Sequence, residues 1–183
     1  MAYKNKTLSN PKAGQDIRFI QTSKDTKGEL LEMESIYPTR SKEPIPHYHP
    51  HQVEDFEVLT GELTVRMDGQ VRVLKQGEEL HISSNTVHSM WNNSQTRTVL
   101  NWKVKPALNT EYLLETAFGL AHNGKTKEDG APPILQALLL ANKFSDEYRL
   151  SKLPFTVMKV LFILLAPFAY LSGYRPTYKK YLD

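Results

Sequence analysis

The stretch His47-Tyr48-His49-Pro50-His51-Gln52-Val53-Glu54 brings three imidazoles and a carboxylate close together in the chain. Side chains in an extended strand alternate between its two faces, so His47 and His49 are expected to project to the same side and converge on one ion. About thirty residues later His88 and Asn92 are expected to complete the site from a second hairpin. Imidazole nitrogens and a carboxylate oxygen suit transition metals, whereas magnesium and calcium prefer mostly oxygen ligands. The pattern predicts a transition-metal site.

The chain before Pro106 has the pattern of an antiparallel β-structure, with short alternating segments separated by turn residues. Asp68-Gly69 is a tight-hairpin signal between two of these segments. A barrel of this kind closes its own sheet edges and leaves an interior wide enough for a small ligand. The predicted strands cover residues 17–21, 29–37, 55–60, 62–67, 71–74, 87–92 and 97–105.

After Pro106 the periodicity becomes helical. A first helix carries an apolar stripe that ends before Asn123-Gly124, a second is expected over 134–143, and a third begins after Pro154 and continues to Leu171. Helices of this length need a surface to cover, which we expect to be the outer face of the barrel or a second subunit. The chain is therefore divided into an N-terminal arm (1–13), a barrel domain (14–106) and a helical extension (107–183). The stripe of the first helix consists of Leu113, Leu114, Ala117, Phe118 and Ala121.

The spacing of the histidines and glycines resembles the two sequence motifs of the cupin family. The first motif has two histidines one residue apart, then a glutamate and a glycine, and is matched by His47, His49, Glu54 and Gly61. The second motif has a glycine, a histidine and an asparagine, and is matched by Gly77, His88 and Asn92. Ser83 and Asn85 replace the usual proline and glycine of the second motif, and Asn tolerates left-handed backbone better than most residues.

The resemblance implies a mainly β fold, a double-stranded β-helix or jelly roll of the single-barrel, RmlC-like cupin 2 type (a monocupin), followed by about three C-terminal helices. It implies that His47, His49, Glu54 and His88 bind one divalent ion such as iron, manganese, nickel or zinc. Four protein ligands on a six-coordinate metal leave two positions for water or substrate, as a catalytic site requires.

Two functions follow from this resemblance and both stay open. The first is a metal-dependent enzyme, an oxidoreductase of dioxygenase type, a decarboxylase or an isomerase, acting on a small oxygen-bearing metabolite inside the barrel. The second is a non-catalytic module that binds or senses such a molecule. A proton-transfer group beside the metal would favour the enzyme, and His51 and Glu57 are the candidates.

Other polar residues of the motif region have competing interpretations. Asn92 or Tyr48 is a candidate for orienting substrate, but Asn92 is equally interpretable as a structural turn residue. His51 is either a substitute ligand or proton carrier, or a solvated residue at the rim. His81 is interpreted as an ordinary strand histidine, and His122 as a cation at the end of a helix.

Composition excludes several other classes of function. The chain has 183 residues, no cysteine and a net charge of +3. Thiolate ligands and cysteine nucleophiles are excluded, and the diffuse charge argues against a nucleic-acid partner. There is no phosphate-binding glycine loop and no G-x-S-x-G motif. The first residues lack an apolar run, so a cytoplasmic location is expected.

The third helix leaves one alternative open. Residues 160–171 are continuously apolar, and residues 149–182 contain six basic side chains and no acidic one. About twelve apolar residues are too few to cross a bilayer, for which about twenty are needed. The helix is expected to be buried in the protein or in a homodimer, with peripheral contact to anionic lipid headgroups as the alternative.

Overall fold

Two antiparallel β-sheets make up the first part of the chain in the computed structural model, which describes residues 2–128 and 130–182. The second part is helical, with α1 at Thr110–His122, α2 at Ile134–Lys143, α3 at Phe155–Leu171 and a short 3-10 helix at Lys179–Tyr181. The strands are β1 Thr7–Asn10, β2 Gln15–Gln21, β3 Leu31–Tyr37, β4 His47–Tyr48, β5 Val53–Thr60, β6 Glu62–Met67, β7 Gln70–Lys75, β8 Glu79–Ile82, β9 His88–Trp91, β10 Thr98–Lys105 and β11 Arg149–Leu150.

The two sheets share one apolar core. The first sheet has the strand order β1-β2-β3-β10-β5-β8, and the second has the order β11-β4-β9-β6-β7. Alternate residues of each strand point inward, as in β5, where Glu54, Phe56 and Val58 are buried. The core between the sheets consists of Phe56, Val58, Leu80, Ile82 and Leu100 from the first sheet and Leu63, Val65, Leu74 and Met90 from the second. The predicted barrel of short antiparallel strands is confirmed.

Helix α1 packs on the inner face of the first sheet, not on the outer face that the sequence suggested. Phe118, Leu114 and Ala117 of α1 join a second cluster of barrel residues that includes Phe19 and Met33. Phe19 is paired with Met33, Met33 with Trp102, and Trp102 with Phe56, and directly paired residues share a face of the sheet. Helix α1 therefore covers the part of the inner face that the second sheet leaves open.

Helices α2 and α3 pack on each other at the periphery. Ala166 and Ala169 of α3 contact Leu139 of α2 in a small cluster, and neither helix contributes to the two barrel clusters. Strand β11, which lies between the two helices in sequence, pairs with β4 and so adds a strand from the extension to the second sheet. In the described part of the chain, no helix is long and apolar enough to cross a membrane.

Candidate metal centre

Three histidines from two adjacent segments meet at one point inside the second sheet. His47 in β4 is paired directly with His88 at the start of β9, and His49 follows one residue after β4. The ring centroids of His47 and His49 are 5.1 Å apart, and those of His47 and His88 are 4.5 Å apart. One nitrogen from each ring can be chosen so that all three lie within 4.8 Å of one another, which is close enough to hold one ion.

Glu54 approaches the same point from the opposite sheet. Its side chain is buried, with Oε2 3.2 Å from His49 Nε2 and 3.1 Å from His88 Nε2. Its other oxygen, Oε1, accepts a hydrogen bond of 2.9 Å from the indole Nε1 of Trp102. The centre therefore bridges the two sheets, with histidines on one side and a carboxylate held in a fixed orientation on the other.

Backbone carbonyls fix the tautomers of the three imidazoles. A carbonyl oxygen only accepts hydrogen bonds, so an imidazole nitrogen bound to one carries the proton, and the other nitrogen of the neutral ring keeps its lone pair. All three rings direct Nε2 toward the centre in this way, as metal-binding histidines do. The contacts are His47 Nδ1 to Ile45 O at 3.3 Å, His49 Nδ1 to Glu147 O at 2.5 Å, and His88 Nδ1 to Thr86 O at 3.0 Å.

The polar atoms at the centre fit a bound cation. His49 Nε2, His88 Nε2 and Glu54 Oε2 are buried and have no hydrogen-bond partner among the described residues. Two imidazole lone pairs and a carboxylate oxygen that face one another repel, and leaving such groups buried without partners is costly. A divalent ion between them satisfies all three, and nitrogen with carboxylate oxygen is a donor set typical of transition metals.

The charges of the centre are strongly coupled. Burial works against the ionised form of Glu54, but His49 and His88 outweigh it and hold the pKa of the carboxyl below its usual range. Burial also opposes a charge on His49, yet Glu54 and the carbonyl of Glu147 raise the pKa of that imidazole. Burial and the neighbouring His88 and His49 lower the pKa of His47 to about 3. The surroundings therefore favour a proton on His49 and disfavour one on His47, and a bound metal ion would compete with the His49 proton.

A small cavity of about 170 Å³ opens onto His47 and Glu54. Its other walls are mainly apolar and include Leu114 and Phe118 of α1, with Trp102 beside the carboxylate. Helix α1 thus closes the ligand cavity, a role that its sequence pattern did not indicate. The remaining lining residues are Gln15, Ile17, Tyr37, Pro44, Phe56 and Met90.

A wider cavity of about 390 Å³ adjoins the inner one and shares Tyr37 and Gln15 with it. These two polar side chains therefore lie where the two cavities meet, together with Pro44 and Met90. Burial, with the negative charge of Glu54, raises the pKa of Tyr37 to about 12, so its hydroxyl stays neutral and can donate a hydrogen bond at physiological pH.

The helical extension also contributes to the centre. The ring of Tyr148 lies 4.9 Å from that of His47, and burial raises the pKa of Tyr148 to about 12. The side chain of Glu147 accepts hydrogen bonds from the backbone and side-chain nitrogens of Asn109, at 3.0 and 2.8 Å, at the start of α1. Sequence reasoning missed Tyr37, Glu147 and Tyr148, because no local motif marks residues brought in from distant segments.

Asn92 lies in the wall of the barrel as a structural residue. Its amide nitrogen donates to Pro38 O at 2.9 Å and Thr96 O at 2.6 Å, and its Oδ1 accepts from the backbone of Ser94 at 2.9 Å. All its polar atoms are used in holding a turn, so the substrate-orienting alternative is wrong. By strand alternation, Tyr48 lies on the opposite face of β4 from His47 and also points away from the centre.

The remaining candidates lie outside the centre. His51 is 61% exposed and 3.9 Å from Asp146, and His81 binds Asp55 at 2.7 Å on the outer face. Glu57 is half-buried and alternates with the buried Glu54 along β5, so it faces away from the metal centre. His122 is exposed in the last turn of α1. None of these four residues therefore faces the point where His47, His49, His88 and Glu54 meet.

Comparisons with known proteins match the barrel region of the chain. Residues 33–102 match the model of the cupin domain family. A curated relative, quercetin 2,3-dioxygenase of Bacillus subtilis (strain 168), is 36% identical over 72 residues, which are 39% of this chain and 21% of the relative. The chain thus spans about a fifth of the length of that relative.

Solved structures with the same fold are more distant in sequence. A predicted oxalate decarboxylase of Thermotoga maritima has a TM-score of 0.50 at 17% identity, over 58% of this chain and 99% of that chain. An RmlC-like cupin from Shewanella frigidimarina NCIMB 400 has a TM-score of 0.49 at 20% identity, over 61% of this chain and 94% of that chain. The likeness to the Thermotoga maritima structure concerns the fold alone. Together with the family match, it confirms the mainly β jelly-roll class.

Proposed function

We propose that this chain, whose residues 33–102 match the cupin domain family, is a mononuclear metalloenzyme that acts on a small oxygen-bearing metabolite. We assign His47, His49, Glu54 and His88 as the metal ligands. The observation that carries this proposal is the convergence of Nε2-directed imidazoles and an orphaned Glu54 oxygen at one wall of an internal cavity.

The bound ion would supply a Lewis acid with open positions for an oxygen-bearing ligand. The donor set accepts iron, manganese, nickel or zinc, and the protein's geometry does not select among them. Trp102 holds Glu54 in place, and the carbonyls of Ile45, Thr86 and Glu147 hold the three imidazoles. These contacts preorganise the ligands, so little rearrangement is needed when the ion binds.

The cavity favours a small, mostly apolar substrate. The volume of the cavity is about 170 Å³, and Phe56, Trp102 and Phe118 make its walls mainly apolar. The neutral hydroxyl of Tyr37 is placed to donate a hydrogen bond to an oxygen of the substrate. A dioxygenase, decarboxylase or isomerase reaction fits such a site, and the name of the Bacillus subtilis relative supports the first of these.

One observation favours a binding or sensing module as a second candidate. Apart from His47 and Glu54, the described residues that line the inner cavity include no histidine or carboxylate, and Tyr37 is held neutral. The site therefore offers no additional side chain that titrates near neutral pH for proton transfer. Catalysis in this cavity would depend on the metal and on dioxygen or water.

Turnover distinguishes the two candidates. We would reconstitute the protein with each of the four metals and follow oxygen consumption and substrate loss with small phenols, 2-oxo acids and dicarboxylic acids. The enzyme proposal predicts turnover with at least one metal, loss of turnover in Glu54→Gln and a raised KM in Tyr37→Phe. Binding of a compound without turnover under every metal would favour the sensing module instead.

Four further expectations stay predictions. The division into an arm (1–13), a barrel (14–106) and an extension (107–183) is one, although β1 of the arm pairs with β2 and β11 of the extension pairs with β4. The others are the cytoplasmic location and the homodimer, together with the lack of a nucleic-acid partner.

A further inference from the structure

Helix α3 carries a row of large apolar side chains that point into solvent. They recur at helical spacing and so form one face of the helix, which we call the apolar stripe. Their exposure is high for residues of this type, reaching 60% at Leu164, 61% at Phe168 and 86% at Leu171. Clustered exposure of this kind marks an interaction surface rather than ordinary surface variation. The stripe consists of Val157, Val160, Leu161, Leu164, Phe168 and Leu171.

The opposite face of α3 is already used, which fixes the direction of the stripe. Ala166 and Ala169 pack on Leu139 of α2, and Met158 is also buried. Lys159 donates to the side chain of Asn142, also on α2, at 2.9 Å. The helix cannot turn its apolar stripe inward without losing these contacts.

The charges around the stripe are of one sign. Residues 149–182 contain six basic and no acidic side chains, although the whole chain carries only +3, so the rest of the protein is net negative. Arg149 and Lys152 precede the helix, and Arg175, Lys179 and Lys180 follow it. Among the described residues, only Arg149 of these six basic side chains has a carboxylate within 4.0 Å, that of Asp146 at 3.9 Å.

Charge decides between two ways of covering the stripe. In a two-fold dimer through α3, the basic residues flanking both ends of one helix would lie near those of the other, whether the helices run parallel or antiparallel. Residues 149–182 contain no acidic side chain to offset this repulsion. An anionic bilayer surface instead neutralises the basic residues while its acyl region receives the apolar side chains. Tyr170 and Tyr174, near the C-terminal end of the stripe, have the amphipathic rings that favour this interface.

We propose that α3 docks in the surface of an anionic phospholipid bilayer, with the apolar stripe facing the acyl chains. The 17-residue helix is about 25 Å long and lies along the membrane plane rather than crossing it. This proposal is independent of the metal site.

Vesicle flotation of the full chain tests the proposal. The probes are vesicles of phosphatidylcholine alone and of phosphatidylcholine with about 30% phosphatidylglycerol, each at low salt and at about 0.5 M salt. We expect binding to the anionic vesicles that weakens with salt and is low on neutral ones. The double variant Leu164→Gln, Phe168→Gln should bind about a hundredfold more weakly, because each large apolar side chain that leaves water contributes roughly a factor of ten. Lys179→Gln with Lys180→Gln should reduce binding to the anionic vesicles in particular.

Matched variants separate this surface from general stickiness. Val71→Gln with Val73→Gln removes two exposed apolar side chains from β7, and Lys4→Gln with Lys24→Gln removes two exposed charges far from α3 in sequence. Both should bind anionic vesicles like the unmodified protein, and thermal unfolding should show that every variant is folded. No binding to anionic vesicles, or equal binding by the Leu164 and Phe168 variant, would overturn the proposal. A dimer in solution that the same variant dissociates, without vesicle binding, would show instead that a second copy covers the stripe.

Discussion

Trp102 decides which oxygen of Glu54 faces the histidines. Its indole Nε1 donates a hydrogen bond of 2.9 Å to Oε1, which leaves Oε2 to face the metal centre. The sequence predicted a strand over residues 97–105 but gave no sign of this bond, because the pairing of β10 with β5 is set by the whole sheet. A contact outside the ligand set thus determines the geometry within it.

We predict that Trp102→Phe weakens metal binding by about tenfold to a hundredfold, the usual effect of losing such a supporting contact. The new ring can still stack on Phe56, which lies 5.8 Å from Trp102 between centroids, so the barrel should remain folded. Competition with a chromogenic chelator measures the affinity. Trp91→Phe, on the alternate face of β9 from His88, is the control and should bind normally. Unchanged affinity in Trp102→Phe would contradict the role of the indole.

Metal affinity should depend on pH mainly through His49. Its pKa is raised in the metal-free protein, so a proton occupies the site below that pKa and must leave before a metal binds. His47, with its pKa lowered to about 3, stays neutral and adds no competition near neutral pH. We therefore expect affinity to fall as the pH drops, by about tenfold per pH unit once His49 is protonated.

Chelator competition between about pH 5.5 and pH 8.5 covers this range, which brackets an ordinary histidine pKa of about 6.5. The stability of the metal-free protein depends on pH in the opposite direction. The raised pKa of His49 stabilises the metal-free protein at low pH, and that contribution is lost as the pH rises through the folded-state pKa. Metal affinity that stays flat across the range would contradict the proton competition.

The turns of the barrel show how far residue patterns predict backbone geometry. Gly61 and Asn85 both adopt positive φ, at 80° and 63°, as their places in the motifs suggested. At Gly61 a Cβ would also lie 2.5 Å from the carbonyl oxygen of Arg97, so the position excludes a side chain for two reasons. The left-handed conformation could be predicted from the local sequence, but the close approach of Arg97 could not.

Strand β11 and the residues before it connect the helical extension to the metal centre. The carbonyl of Glu147 holds His49 Nδ1 at 2.5 Å, and its buried carboxylate accepts two hydrogen bonds from Asn109. The extension is therefore part of the site and not only a cover for the barrel. Sequence patterns identified the helices of this region, but a strand of two residues is too short for alternation to reveal.

We predict that Glu147→Ala destabilises the protein by about 1–3 kcal/mol, because it removes a buried carboxylate that accepts two hydrogen bonds from Asn109. The carbonyl that orients His49 should also shift, so metal affinity should fall. Urea unfolding of the metal-free protein and chelator competition measure the two effects. Asp146→Ala removes the neighbouring carboxylate, which is 69% exposed, and should change neither quantity by much. Equal behaviour of the two variants would show that β11 does not support the centre.

At the scale of the whole molecule, the fold class and the histidine cluster were predictable, and the cavity was not. Strand alternation, helical periodicity and the two motifs can each be recognised within a short stretch of sequence, and the structure agrees with these patterns. The arrangement of α1 on the inner face depends on the strand order and on the short second sheet, which leaves Phe19 and Met33 for α1 to cover. Tyr37 and Phe118 lie 81 positions apart and meet at one cavity only because of this topology.

Charge is also distributed at this scale. The rest of the chain has a net charge of −3, which offsets half of the six basic residues of 149–182, so a net charge of +3 conceals an electrostatically polarised molecule. The composition alone suggested a diffuse charge, and the position of α3 at the periphery shows that the basic segment is separate from the barrel core. This polarity gives the molecule one face suited to anionic surfaces.

The most direct test of the metal centre is elemental analysis of the protein purified without chelator, beside the double variant His47→Ala, His49→Ala. The control is His51→Ala with His81→Ala, which removes two histidines that lie outside the centre. We predict near-stoichiometric iron, manganese, nickel or zinc in the unmodified protein and in the control, and its loss in the His47 and His49 variant. No metal in the unmodified protein, even after reconstitution with each ion, or equal metal in all three proteins, would contradict the assignment of His47, His49, Glu54 and His88 as ligands.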